Sequence, residues 1–193
     1  MVELVAKWQG PFSWPGFETD TGLPPAPTEL GGWVYLQTVD YADGLAVYAA
    51  GITNRNVPSR FREHTRKTLD GDYNLLDMDA MRRGERIQLW HGWEQRTPER
   101  LASLAENKLQ IQEWARTQMG HFRIFAAILP DTDRLLRRME STIMDCLYAQ
   151  ESPLANLPDK GMSLSRRWPT EEPVTIRNEC RHKRYGIPDQ FTI

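Results

Sequence analysis

The sequence predicts an α/β domain of the α+β kind, in which a few antiparallel strands are flanked by helices. Apolar and polar residues alternate in 33–39 and in 45–52, on either side of a turn, which is typical of a β-hairpin. Thr97 followed by Pro98 marks a helix start, because threonine caps helices and proline is favoured in the first turn. Apolar residues at helical spacing in 131–149 predict a long amphipathic helix. At 193 residues, the chain is long enough for one domain with a sizeable core.

Composition and charge are those of an ordinary globular protein, with 40% hydrophobic and 26% charged residues. The net charge of −2 argues against a non-specific coat on nucleic acid. Cys146 and Cys180 lack zinc-ligand spacing, so free thiols in a reducing compartment are expected. The first residues lack the features of a signal peptide, and no apolar run approaches the roughly 18 residues that span a bilayer. A cytoplasmic protein without membrane attachment is expected; the oligomeric state is left open.

Composition divides the chain into three parts. Residues 1–30 are rich in proline, glycine and aromatic side chains, and we expect an extended arm that packs on the domain with its rings in surface grooves. Residues 31–157 hold the alternating strand and helix patterns and are expected to form the domain that carries the chemistry. Residues 158–193 are interrupted by prolines and basic in places, and they are expected to form a C-terminal extension.

Four segments are predicted to be strands. Residues 33–39 and 45–52 form a hairpin, because Tyr41 to Gly44 between them is turn-forming sequence. Residues 86–90 follow as a short strand, and the largely apolar 121–129 as a longer one.

Three helices are predicted. The first opens at Pro58 and ends near Gly71, the second runs from Thr97 to about Gln118, and the third from Asp131 to about Ala149. The buried side of the second helix is predicted to include Leu101, Leu104, Ala105, Leu109 and Trp114.

The segment that joins the hairpin to the first helix is a candidate anion site. A strand ends at Gly51, a polar loop follows, and the helix carries Arg60 in its first turn and His64 on the same face. Helix-start N–H groups and a guanidinium both suit a phosphate. Arg55 and Arg62 add positive charge that suits a nucleic-acid backbone. The alternative interpretation is a solvated surface helix.

Glu140 stands inside the apolar stripe of the third helix, or on its edge. That stripe contains Leu136, Met139, Ile143, Met144 and Leu147. A carboxylate there must be paired, protonated or bound to a cation, because an isolated buried charge is costly. One carboxylate with water and phosphate oxygens is a usual way to hold Mg²⁺. The alternative is an ion pair with Arg137 or another arginine.

Two tyrosines on adjacent predicted strands complete the set of candidate residues. A phenol such as that of Tyr35 or Tyr48 can position a nucleophilic water or relay its proton, although strand tyrosines also serve simply for packing. Asn156 is a candidate to bind a nucleic-acid backbone across the site, or to cap a loop.

These pieces, in this order, resemble the GIY-YIG nuclease superfamily. Tyr35 in Trp33-Val34-Tyr35 falls at the tyrosine of the first motif, and Ala49-Ala50-Gly51 falls at the second motif. Arg60, His64 and Glu140 match the helix arginine, the polar residue one turn later and the metal-binding glutamate, and Asn156 matches the late asparagine. The flanking segments, 10–14 and 71–73, extend the resemblance over the whole chain, to a bacterial branch of the superfamily.

The resemblance implies a small central three-stranded antiparallel sheet flanked by helices. It also implies one divalent cation, Mg²⁺ or Mn²⁺, on Glu140, and hydrolysis of phosphodiester bonds in DNA. In such an enzyme Tyr35 would place the attacking water, Arg60 would neutralise the phosphate, and His64 would assist by hydrogen bonding or proton transfer.

The second motif departs from the family pattern. Ala49 stands where a tyrosine is expected, and Tyr48 comes one residue earlier, where strand alternation points it to the opposite face unless a bulge re-aims it. Two alternatives to a DNA endonuclease follow. The chain could be a binding module for nucleic acid or protein that kept the fold and lost the reaction, or a hydrolase for small phosphodiesters.

Overall fold

The computed structural model describes residues 2–15, 31–130, 132–151 and 154–193. The remainder of the predicted arm, 16–30, and Asp131, the predicted start of the third helix, lie outside the described residues.

The described part contains ten strands, five α-helices and one short 3₁₀ helix. The strands are β1 (Val2–Lys7), β2 (Gln9–Ser13), β3 (Gly31–Tyr41), β4 (Gly44–Thr53), β5 (Leu75–Leu76), β6 (Gln88–Trp90), β7 (Arg123–Pro130), β8 (Val174–Glu179), β9 (Arg184–Tyr185) and β10 (Gln190–Thr192). The helices are α1 (Val57–Leu69), α2 (Met78–Arg82), α3 (Pro98–Glu106), α4 (Lys108–His121) and α5 (Asp133–Ala149), and the 3₁₀ helix spans Leu154–Asn156.

The central sheet has five strands in the order β2-β7-β3-β4-β9, so the expected three-stranded sheet is not confirmed. The three predicted long strands are its antiparallel middle, β7-β3-β4. The edges come from the two ends of the chain: β2 pairs antiparallel with β7, and β9 runs parallel to β4. Neither edge strand had a sequence signal, because β2 contains glycine and proline and β9 has only two residues.

Two smaller sheets accompany the central one. In the first, β8 lies between β1, which is parallel to it, and β10, which is antiparallel. The predicted arm therefore contains the two strands β1 and β2, part of the predicted C-terminal extension is also in strands, and the arm's Trp8 and Trp14 are buried. In the second, the predicted strand 86–90 shortens to β6 and pairs with β5 instead of the central sheet.

Each face of the central sheet has its own core. Val34 and Leu36 of β3 pack with α5 and with the β1-β8-β10 sheet. Tyr35, between them, points to the opposite face, where it packs against Phe61 of α1 and residues of α4. The alternating strand pattern thus places Tyr35 between the sheet and α1.

A β-bulge in the hairpin turns Tyr48 to the same face as Tyr35. The partner of Gln37 is Ala49 but that of Thr38 is Val47, so Tyr48 is the extra residue in β4. Tyr48 and Ala49 consequently both pack on the α1 side, while Ala50 packs on the α5 side. The bulge therefore places Tyr48 on the face from which simple strand alternation would exclude it.

The helices follow the sequence signals except at one break. Asn56 caps α1 by accepting a hydrogen bond from the Ser59 N–H at 2.7 Å, and Thr97 caps α3 through the Arg100 N–H at 3.2 Å. The predicted helix 97–118 was wrong in one respect: it is two helices, which meet at Asn107. The break changes the buried side: Leu101, Ala105 and Leu109 are exposed, Leu109 by 84%, and α4 instead buries Ile111, Ala115, Gln118 and Met119. Within the described residues, no helix has the length and apolar character needed to cross a lipid bilayer.

Candidate functional site

A pocket of about 310 Å³ lies beside the second half of β4. β9 pairs only with Leu45 and Ala46, so among the described strands none covers this edge of β4 beyond the bulge. The two faces of the sheet meet there, with α1 on one side and α5 on the other. The pocket lining includes all five predicted catalytic residues and the predicted substrate-binding glycine: Tyr35, Tyr48, Gly51, Arg60, His64 and Glu140.

Tyr35 joins Arg60 and His64 in one hydrogen-bonded chain. The Tyr35 hydroxyl lies 2.8 Å from His64 Nε2, and Arg60 Nε donates to the same oxygen at 3.3 Å. Burial raises the pKa of Tyr35 to about 12, against the opposing effect of Arg60, so the phenol is protonated at neutral pH. Burial also lowers the pKa of His64 to about 3, and Arg60 adds to this effect. A neutral phenol that accepts from Arg60 can donate its own proton to His64 Nε2 when the neutral imidazole carries its single N–H on Nδ1.

Glu63 holds Arg60 in place from the solvent side. The Arg60 guanidinium donates to its carboxylate at 3.1 Å, and Arg55 binds the same oxygen at 2.9 Å. The hydrogen bond from Arg55, and then the hydrogen bond and charge of Arg60, keep the pKa of Glu63 below its usual value. Glu63 was missed in the sequence, although its position three residues after Arg60 is a spacing at which helical side chains meet.

Glu140 is half-buried and its carboxylate faces the pocket. Burial raises its pKa, while Arg137 and Arg60 act in the opposite direction from a distance. The alternative of a direct ion pair is not realised, because Arg137 binds Asp133 at 2.6 Å and Arg138 donates to main-chain oxygens. Among the described residues, no side chain forms a hydrogen bond or ion pair with the Glu140 carboxylate.

The donor set suits a hard divalent cation that keeps most of its own water. In the described ranges, no three His, Cys, Asp or Glu side chains lie together, so an ion held by Glu140 would take most of its other ligands from water and substrate. Mg²⁺ is commonly bound in this way, by one or two carboxylates together with water and substrate phosphate. A half-buried carboxylate that no described side chain pairs with directly fits this role, because a cation would offset the cost of its burial.

Asp159 lines another wall of the pocket, where its hydrogen bonds join several segments of the chain near Tyr48. Its carboxylate accepts hydrogen bonds from Asn74 at 2.8 Å, Arg86 at 2.5 Å and Trp93 at 3.2 Å. Burial alone would raise the pKa of Asp159, but the hydrogen bonds from Asn74 and Arg86 outweigh it and keep the pKa below its usual value. Burial raises the pKa of Tyr48 well above its ordinary range, and the Asp159 carboxylate adds to this. Asp159 was missed because it lies in an irregular segment without a motif.

The other predicted substrate-binding residues do not line this pocket. Arg55 is exposed and engaged with Glu63, and exposed Arg62 donates to Ser59 at 2.6 Å. Asn156 is exposed in the 3₁₀ helix and lines a separate, shallower hollow behind Asp159. Arg55 lies just before α1 and Arg62 within it, and both side chains are exposed.

Trp14 of the predicted arm closes one side of the site. Its ring meets Phe61 edge-on, with ring centroids 4.9 Å apart, and its Nε1–H donates to Thr65 at 2.7 Å. The arm therefore contributes a wall of the pocket beside α1.

No protein-family model, no curated protein and no solved structure matches the chain.

Proposed function

We propose that this chain is a metal-dependent endonuclease of the GIY-YIG type, which hydrolyses phosphodiester bonds in DNA. The observation that supports this most is the meeting of Tyr35, Arg60, His64 and Glu140 around Gly51 in one pocket. Tyr35, Gly51, Arg60 and His64 come from the consecutive elements β3, β4 and α1, whereas Glu140 comes from α5, much further along the chain.

In this proposal Arg60 binds the scissile phosphate. Its guanidinium is half-buried, and a donor in such a setting stabilises the charge that develops on phosphate oxygens. Its Nε already donates to Tyr35, which orients the guanidinium and leaves its remaining donors to Glu63 and to substrate. Removal of a donor in such a position typically slows the chemical step by about a hundredfold to a thousandfold.

Tyr35 and His64 would position the attacking water and take its proton. The Tyr35 oxygen would accept a proton from the water while its own proton passes to His64 Nε2, so that Tyr35 stays neutral and the positive charge develops on the imidazole. A histidine with a pKa of about 3 is a weak base, but the negative charge of a bound phosphate raises the pKa of a nearby imidazole. Tyr48, on the same face through the bulge, would hydrogen-bond the leaving group or a phosphate oxygen.

Glu140 would hold the Mg²⁺ or Mn²⁺ ion. The ion would supply charge neutralisation at the phosphate and a more acidic bound water. Arg55 and Arg62 would contact the backbone outside the pocket, so binding should weaken as salt rises. We place the protein in a reducing compartment such as the cytoplasm, because both cysteines are free.

A hydrolase for small phosphodiesters is the second candidate. The reactive groups lie deep, with Tyr35 exposed by only 2%, in a pocket near the lower limit for small-molecule sites. Activity on nucleotide diesters but not on polymer would favour this candidate.

The decisive experiment compares wild type with Glu140→Ala and with Glu113→Ala, an exposed glutamate of α4 that serves as the matched control. Labelled plasmid and single-stranded DNA are incubated with Mg²⁺, Mn²⁺ or EDTA. Metal-dependent cleavage by wild type and Glu113→Ala, but not by folded Glu140→Ala, is the expected result. Equal background from all three proteins would contradict the nuclease proposal and favour a binding module.

A further inference from the structure

An aromatic pair stands at the mouth of the pocket, and the proposed chemistry does not use it. Trp93 is 58% exposed although it lines the pocket, which is unusual for a side chain of its size. Its ring centroid lies 5.0 Å from that of Tyr73 at an angle of 45°, and Tyr73 in turn lies 5.7 Å from the His64 ring. The aromatic surface therefore continues from solvent down to the predicted catalytic residues.

The position of Trp93 is held by contacts on both sides. A β carbon on the preceding Gly92 would lie 2.1 Å from the carbonyl carbon of Tyr73, so the two main chains pack against each other. Asn74 accepts from the Gly92 N–H at 2.8 Å, and Asp159 accepts from Trp93 Nε1 at 3.2 Å. A ring fixed in this way loses little conformational freedom when a ligand stacks on it.

The depth of the site restricts what can reach it. The Tyr35 hydroxyl and His64 lie at the base, exposed by 2% and 8%, in a space of about 310 Å³. A base that remains paired and stacked in a duplex cannot enter a space of this size, whereas enzymes that act in such pockets take an unpaired or extruded nucleotide.

Positively charged side chains lie along the aromatic surface that leads from the pocket mouth to His64. Exposed Lys160 is at the pocket rim, and the Lys67 ammonium lies 6.0 Å from the centroid of the Tyr73 ring. Arg60 is further in. Aromatic faces interleaved with cations are the usual means of binding single-stranded nucleic acid, in which bases stack while cations bind phosphates.

We propose that the pocket takes an unpaired nucleotide, with its base stacked on Trp93 and Tyr73 and its phosphate directed to Arg60. The inference rests on the proposed function only for what happens to that phosphate; the binding itself requires neither metal nor cleavage. The nucleotide belongs either to a single strand or to a small diester, and the binding experiment separates these sources.

The test measures binding by fluorescence anisotropy in EDTA, with the Glu140→Ala protein so that no cleavage occurs. The probes are a labelled oligothymidylate, the same strand paired with oligoadenylate, and unlabelled thymidylyl-thymidine as competitor. The additional substitutions are Trp93→Ala, Trp93→Phe and, as control, Trp168→Ala, since Trp168 is 62% exposed and stacks on Arg134.

We expect the single strand to bind more tightly than the duplex. Trp93→Ala should weaken single-strand binding about tenfold or more, while Trp93→Phe retains most of it and Trp168→Ala changes nothing. Competition by thymidylyl-thymidine at the affinity of the oligonucleotide would assign the site to small diesters, and weak competition would assign it to a polymer.

Unchanged single-strand binding in a folded Trp93→Ala protein would overturn the inference, as would duplex binding of equal or greater strength. Failure of the proposed function is seen separately. If wild type cleaves no DNA in Mg²⁺ or Mn²⁺ but Trp93-dependent single-strand binding persists, the nuclease proposal fails and this inference stands.

Discussion

The hydroxyl group of Tyr35 occupies the space in which a side chain of Gly51 would lie. The two residues are direct partners across β3 and β4, and a β carbon on Gly51 would lie 2.3 Å from the Tyr35 oxygen. The ring folds over its partner's main chain, so that its hydroxyl reaches Arg60 and His64. Glycine at position 51 is therefore a steric condition for the position of Tyr35.

Gly51→Ala should displace the Tyr35 ring and disrupt its hydrogen bonds. We expect the free energy of unfolding to fall by about 1–3 kcal/mol, the usual cost of overpacking a filled site, and any Tyr35-dependent activity to fall with it. Denaturant unfolding measures the change. In a Tyr35→Ala background the same Gly51→Ala substitution should cost much less, because the clashing ring is absent. Equal costs in both backgrounds would show that the clash is not the cause.

Glu140→Gln should stabilise the folded protein at neutral pH while it removes the proposed metal ligand. The pKa of Glu140 is raised in the folded state, so its ionisation above the unfolded value of 4.5 destabilises the fold. The stability advantage of the variant should grow as pH rises through the folded pKa and disappear below about pH 4.5.

Glu63→Gln is the matched control with the opposite sign. The pKa of Glu63 is lowered, so its charge contributes stability above 4.5 that is lost as pH falls through the folded pKa. Glu63→Gln should therefore be less stable than wild type at neutral pH. Denaturant unfolding of wild type and both variants at several pH values decides the matter, and variants that shift stability in the same direction would contradict this account.

His64 should make the fold sensitive to mild acid. Its pKa is about 3 in the folded state and near 6.5 when unfolded, so the unfolded chain gains a proton that the folded one does not. Its contribution to stability is complete above 6.5 and is lost as pH falls towards 3, with a slope of at most about 1.4 kcal/mol per pH unit. His64→Gln should reduce this slope, while the same substitution at exposed His91 serves as the control. If NMR shows that the His64 ring titrates with a midpoint near pH 6.5, the lowered pKa is contradicted.

Asp159→Asn should destabilise the wall that faces Tyr48. The substitution leaves the half-buried Arg86 without its counter-charge, and we expect a loss of about 1–3 kcal/mol in the free energy of unfolding. Asp145→Asn is the comparison, because Asp145 also binds an arginine through a charged pair but at the surface. That change should cost less than about 1 kcal/mol. Thermal or denaturant unfolding measures the loss of stability in each variant, and equal losses in the two would contradict the prediction.

The parts of the site that the sequence predicted depend on local signals. The hairpin turn aligns Tyr35 with the end of β4, and the Asn56 cap with Pro58 starts α1 so that Arg60 and His64 point back to the sheet. Glu140 interrupts a helical stripe, which a periodicity argument detects directly. Each of these signals needs only a few neighbouring residues.

The parts that escaped prediction depend on contacts between distant segments. Asp159 and Trp93 lie in irregular loops, and the Asn74 amide donates to Asp159 and accepts from the N–H of Gly92, the residue before Trp93. No periodicity marks such residues, because their place is decided by tertiary hydrogen bonds. The bulge at Tyr48 is similar: alternation alone sends this residue to the wrong face, and only the register with β3 shows the extra residue.

The parallel pairing of β1 with β8 also sets an order of assembly. Trp8 donates a hydrogen bond to Asn178, 170 residues away, and every partner of β1 lies at a similar separation. During synthesis β1 leaves the ribosome before β8 and has no pairing partner until β8 has followed. Closing so long a loop is among the slower steps in folding, so the β1-β8-β10 sheet should form after the central hairpin. Until then Ala6 and Trp8, both buried in the finished protein, remain available to chaperones and to aggregation.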